Sequence, residues 1–151
     1  MFTSMLDVNK LQENVDRICE KEGMPRGCGR TTALLYLLLG DVELGDAGNT
    51  YMFVSNSIHT SKRVQTLFLD MLHDHNLEFD YHQSFGRFVL ANDTTVFFIS
   101  LSQFLTLDAF RGVKIDRVFL DVSYELLCKE DNTGSLDYPV SYLLSRGADF
   151  V

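Results

Sequence analysis

The chain has 151 residues, 46% hydrophobic and 12% aromatic, which suits one domain around one core and excludes a low-complexity or collagen-like protein. Its formal net charge is −8, and its 13 Lys and Arg include one adjacent pair, Lys62-Arg63, so tight binding of nucleic-acid phosphates by this domain alone is not expected. The longest apolar stretch, Ala33 to Leu39, is too short to cross a bilayer, and the N-terminus lacks a signal peptide's basic start and apolar run, which predicts a cytoplasmic protein with no membrane contact.

Asn9 to Lys21 carries Leu11, Val15, Ile18 and Cys19 at helical spacing, and Gly23 and Pro25 stop it. Next comes the glycine-rich run Arg26-Gly27-Cys28-Gly29-Arg30-Thr31-Thr32, followed by an apolar helix, Ala33 to Gly40, closed by its glycine. Tyr36 and the leucines around it read as core. Asp41 to Asn49 is a turn-rich loop. Thr50 to Ser55 is a continuous β-prone run, as expected of a strand buried on both faces. Thr60 or Ser61 can cap a helix bearing Val64, Leu67, Phe68 and Met71. Phe79 to His82 suits a short strand, and Arg87 to Leu90 and Thr95 to Ser100 form a hairpin around Ala91-Asn92-Asp93-Thr94. Gln103 to Phe110 predicts a short helix, Arg117 to Asp121 a buried strand, Leu126 to Gly134 a polar loop, and Tyr138 to Ser145 a last helix. Strands alternating with helices predict an α/β fold, a three-layer, mostly parallel sheet with a β-hairpin, as one domain over residues 1–151.

Cys19, Cys28 and Cys128 are odd in number and widely spaced, which argues against a zinc site or disulfide framework. His73 and His75 are two apart near a helix end and point to different faces, so solvated surface is the simpler reading than a metal pair.

The chemistry concentrates in two places. A phosphate-binding loop needs little side-chain bulk, a helix N-terminus, a cation for the β and γ phosphates, and a hydroxyl for Mg²⁺. Gly27-Cys28-Gly29-Arg30-Thr31-Thr32 meets these needs with Arg30 as the cation, although Met24 stands where the full Walker pattern has its first glycine. On its own the run suits a nucleotide loop or a plain glycine-rich turn before a helix. Val118-Phe119-Leu120-Asp121 is an apolar strand ending in an aspartate, placed to hold Mg²⁺ opposite Thr31 or simply to cap the next turn.

Taken together these pieces resemble the N-terminal ATPase domain of phage large terminases, the DNA-packaging motors, and more distantly helicases. The terminase loop often reads Arg-x-x-Gly-Lys-Thr-Thr, the form that Arg26 to Thr32 follows. The later order of strand, helix and hairpin also matches, as does Arg111-Gly112 leading into the Walker B-like strand that ends at Asp121; the resemblance spans roughly residues 24 to 125. It implies a P-loop NTPase fold, ATP and Mg²⁺ as cofactors, Arg26 to Thr32 on the nucleotide, Thr31 and Asp121 on the metal, and a viral protein acting in host cytoplasm.

Three departures qualify that implication. The stretch Val15 to Pro25 reads as helical rather than as the strand that precedes the family's loop, so that strand is expected to be missing. Arg30 replaces lysine, and its planar fork is not equivalent to an ammonium. Val122 stands where the catalytic glutamate is expected, and Glu125, four residues beyond Asp121, is a weak substitute. The expectation is therefore an ATP-binding domain that is at best a weak ATPase, with a protein partner and only indirect contact with nucleic acid. The alternatives are a non-catalytic viral accessory protein that kept the fold and binds or inhibits another protein, and an unrelated α/β domain whose loop takes another anion.

Overall fold

A computed structural model describes residues 29–82, 86–106, 112–122 and 137–151. The elements are α1 (Gly29–Leu44), β1 (Thr50–Ser55), α2 (Ile58–Asp74), β2 (Phe79–His82), β3 (Arg87–Leu90), β4 (Thr95–Ser100), α3 (Leu101–Thr106), β5 (Arg117–Asp121), α4 (Asp137–Ser145) and β6 (Asp149–Phe150). The helix expected at Asn9 to Lys21, the strand expected to be missing before the loop, and the loop at Leu126 to Gly134 lie outside the described residues.

The six strands form one sheet in the order β2-β3-β4-β1-β5-β6. β1 pairs in parallel with β4 on one side and β5 on the other, and β5 pairs in parallel with β6. The hairpin adds β3 antiparallel to β4, and β2 pairs antiparallel with β3. The expected mostly parallel sheet with a hairpin is what the chain forms. At the hairpin's tip Asp93 takes a positive φ of 64°, and Asn92 Oδ1 accepts the Thr94 N–H at 3.2 Å, a local bond suited to a tight reversal.

Because strand side chains alternate, the sheet has two apolar faces, and each is covered. On one face Tyr51, Phe53, Val96, Phe98 and Phe119 pack against Leu34, Leu35, Leu38 and Val42 of α1 and Val64, Phe68 and Leu72 of α2. On the other, Met52, Val54, Ile99, Val118, Leu120 and Val122 pack against Phe104 of α3 and Val140 and Leu143 of α4. This is the three-layer arrangement that the alternating pattern predicts.

Several expected boundaries move. α1 does not end at Gly40 but runs on to Leu44, because Val42 still reaches the core; the glycine that stops it is Gly45. A Cβ on Gly45 would lie 2.3 Å from the Asp41 carbonyl oxygen and 2.8 Å from the Tyr51 hydroxyl, whereas one on Gly40 would meet nothing within 4 Å. Tyr36, expected in the core, is 44% exposed, since the leucines at i, i+1, i+4 and i+5 from Leu34 define the buried stripe and leave it outside. The cap of α2 is Ser57, not Thr60 or Ser61: its backbone is extended and its Oγ accepts the Thr60 N–H at 3.2 Å. α3 begins two residues earlier than expected, at Leu101.

β6 has no counterpart in the sequence reading. Arg117 helps place it, with Nη1 2.6 Å from Asp41 Oδ2 and Nε 3.2 Å from Asp149 Oδ2, joining α1, β5 and β6. The histidines behave as surface groups: His75 Nδ1 lies 2.8 Å from Glu43, and His73 packs edge-on against Phe79. Among the described residues no helix is long and apolar enough to cross a membrane.

Candidate functional site

The register of the three central strands lays their side chains in rows on the face that meets α1 and α2. Phe98, Phe53 and Phe119 form one row, with Phe53 centroids 5.5 Å from Phe98 and 6.2 Å from Phe119. The next row, at the C-terminal ends of the strands, is Ser100, Ser55 and Asp121. Polar groups thus replace aromatic ones at the level where a doubly covered parallel sheet opens toward ligands. All three are buried, Ser55 completely and Asp121 to 6% exposure.

The first turn of α1 meets Asp121 there. Thr31 Oγ1 donates to Asp121 Oδ2 at 2.5 Å, and Arg30 Nε lies 3.3 Å from Asp121 Oδ1. Arg30 Nη2 also donates to the Val122 carbonyl oxygen. The turn carries no acidic residue, so the helix dipole presents a positive end to this space. Ser55 Oγ, next to Asp121 in register, has no hydrogen-bond partner among the described residues. Ser100 is bound instead, its N–H donating to Gln103 Oε1 at 2.9 Å and its Oγ standing 3.0 Å from Ser102 Oγ.

Thr31 and Asp121, ninety residues apart, are therefore brought together as expected, and Arg30 joins them. Gly29 opens α1 and Thr32 lies half-buried in the same turn. Arg26, Gly27, Cys28, Arg111 and Glu125 lie outside the described residues. The Val122 side chain is fully buried on the opposite face, among Met52, Val54 and Leu120. Ser55 and Ser100 escaped the sequence reading. Their signal was that three apolar strands each end in a small polar residue: Thr-Tyr-Met-Phe-Val-Ser, Thr-Val-Phe-Phe-Ile-Ser and Arg-Val-Phe-Leu-Asp.

The donor set fits a hard divalent cation of the Mg²⁺ kind, which binds oxygen and keeps most of its shell as water or phosphate. A carboxylate and a hydroxyl stand 2.5 Å apart, with a buried hydroxyl beside them that has no partner among the described residues. Among the described residues no three His, Cys, Asp or Glu gather to make a protein-only metal cage. A separate cavity of about 540 Å³ between α2 and the hairpin, lined by Lys62, Gln65, Thr66, Leu69, Tyr81 and Phe88, shares no residue with this site.

The family described as "Terminase large subunit, T4likevirus-type, N-terminal" matches residues 23–122. Among solved structures, the large terminase ATPase domain of Thermus phage P74-26 superposes with a TM-score of 0.56 at 13% identity, covering 83% of this chain and 55% of that one. A point mutant of the same domain gives a TM-score of 0.56 at 11% identity with the same coverage. The chain thus spans about half the length of the solved domains it resembles. No curated protein matches it.

Proposed function

The chain belongs to the T4likevirus-type terminase large-subunit N-terminal family, and from that premise we propose that it binds ATP with Mg²⁺ and hydrolyses it slowly or not at all. The observation that carries this reading is the Thr31–Asp121 contact of 2.5 Å at the N-terminus of α1. A helix N-terminus that lacks acidic residues suits phosphates, and Arg26 to Thr32 would line them, with Arg30 as the cation. Thr31 and Asp121 would hold the metal, whose charge offsets that of the phosphates.

Slow turnover follows from what stands beside the site. Hydrolysis needs a group that orients and deprotonates water. Val122 has none, and its side chain is buried away from Asp121. The domain would work in DNA packaging in host cytoplasm through a partner that holds the nucleic acid, since its net charge of −8 disfavours direct binding. The burial of Val122 also favours a second reading, a non-catalytic viral accessory protein that binds or inhibits another protein.

Phosphate release and nucleotide binding, measured separately on the full chain, distinguish the two. Saturable MgATP binding with phosphate release close to background is the expected outcome. Rapid, multiple-turnover release abolished by Asp121→Ala would show the site to be a competent ATPase, and absence of any binding would leave the accessory role.

A further inference from the structure

Arg30 stands where its charge neutralises the only carboxylate of the described site. Asp121 has one oxygen facing the guanidinium and the other holding the Thr31 hydroxyl, so both are engaged by the chain's own donors. The guanidinium is fixed from a second side by the Val122 carbonyl. Its side chain is 26% exposed against 6% for Asp121, so the cation lies on the solvent side and covers the acid. A fork of fixed geometry can span a carboxylate and a carbonyl together, which the single point charge of lysine does less well.

We propose, resting on the nucleotide-binding reading above, that Arg30 makes divalent metal and nucleotide bind this site only as a pair. A metal ion arriving alone meets a carboxylate already compensated by a guanidinium, and among the described residues no cluster of acidic or histidine ligands makes up the loss. It must displace Arg30 into water or bind beside a like charge, and both are unfavourable. A nucleotide arriving alone draws Arg30 toward its phosphates and leaves Asp121 buried without a counter-charge. Arriving together, they exchange partners in one step: the phosphates take Arg30, and the metal takes Asp121 and Thr31. Arg30 and Asp121 then each keep a counter-charge. The coupling free energy is reciprocal, so each ligand raises the affinity of the other by the same factor.

The test is free Mn²⁺, followed by electron paramagnetic resonance, titrated into the full chain with and without a non-hydrolysable ATP analogue. Corrected for the Mn²⁺ that the analogue itself chelates in solution, wild type is expected to bind Mn²⁺ at least about tenfold more tightly when the analogue is present, a coupling of ordinary allosteric size. Arg30→Gln uncovers Asp121, so it should bind Mn²⁺ alone about tenfold more tightly than wild type and gain less from the analogue than wild type does. Adding Asp121→Asn to that variant should remove the gain. Should Arg30→Gln fail to fold by circular dichroism, Arg30→Lys, which keeps the charge and gives up the fork, is titrated in its place and should likewise bind Mn²⁺ alone more tightly than wild type. Analogue binding that is the same with and without Mn²⁺, or Mn²⁺ binding that Arg30→Gln leaves unchanged, would overturn the coupling while leaving nucleotide binding intact. An analogue that does not bind at any Mn²⁺ concentration would overturn the nucleotide reading and the coupling with it.

Discussion

Among the described residues, a carboxylate introduced at position 122 would find apolar neighbours. Val122 is fully buried, and its neighbours on that face are Met52, Val54, Leu120 and the apolar residues of α3 and α4. Strand alternation is the reason: Asp121 faces α1, so the next side chain faces the other layer. Val122→Glu is therefore expected to destabilise the fold by about 3 kcal/mol or more, the cost of burying an unpaired acid, rather than to restore hydrolysis. Denaturant unfolding of both proteins checks this. A variant as stable as wild type that hydrolyses ATP faster would mean that the end of β5 rearranges to turn residue 122 toward the nucleotide. At this scale the sequence set Asp121 opposite Thr31 and gave Arg30 to the phosphates. It could not show that Arg30 contacts the acid itself, because that depends on how the first turn of α1 sits over the ends of the strands.

The elements reward a paired comparison within α1. Gly40 lies in the helix interior with open space where a Cβ would stand, and Gly45 ends the helix against Asp41 and Tyr51. Gly40→Ala is expected to stabilise the protein by about 0.5–1 kcal/mol through helix propensity. Gly45→Ala should destabilise it, since the methyl would collide with the Asp41 carbonyl that accepts the Gly45 N–H at 2.7 Å. Thermal unfolding of the two variants reads both signs, and a stabilised Gly45→Ala would refute the assignment of the helix end. The same pair explains how much of the fold was legible. β1 and β5 were read to their last residues because buried parallel strands are uninterrupted apolar runs. A glycine marks a helix end only when the chain must turn there, and Gly40 and Gly45 cannot be told apart without knowing where Tyr51 lies. β6 was illegible because two residues carry no pattern; parallel pairing with β5 and the Arg117–Asp149 contact define it. The hairpin was legible because Asn92 and Asp93 tolerate the reversal that their backbone makes.

For the molecule as a whole, charge and fold point to different partners. The fold is that of a large terminase ATPase domain, yet 21 acidic residues outweigh 13 basic ones, and basic residues do not cluster in sequence beyond Lys62-Arg63. Neutralising phosphates with so few cations gives weak affinity that salt removes readily. The isolated chain is therefore expected to bind double-stranded DNA weakly at physiological salt. Fluorescence anisotropy giving tight, strongly salt-dependent binding would contradict a borrowed nucleic-acid contact and would place a DNA-binding surface on this chain.

The proposed function turns on whether Arg30, Thr31 and Asp121 form a working nucleotide site. The most direct test is an equilibrium titration of the full chain with a fluorescent ATP analogue and Mg²⁺, repeated on Asp121→Asn. That substitution keeps an oxygen for the Thr31 hydroxyl and removes the charge that would hold the metal. Saturable binding by wild type, weakened about tenfold or more in the variant, is the predicted result. Binding that is absent from wild type, or equal in the two proteins, would contradict it.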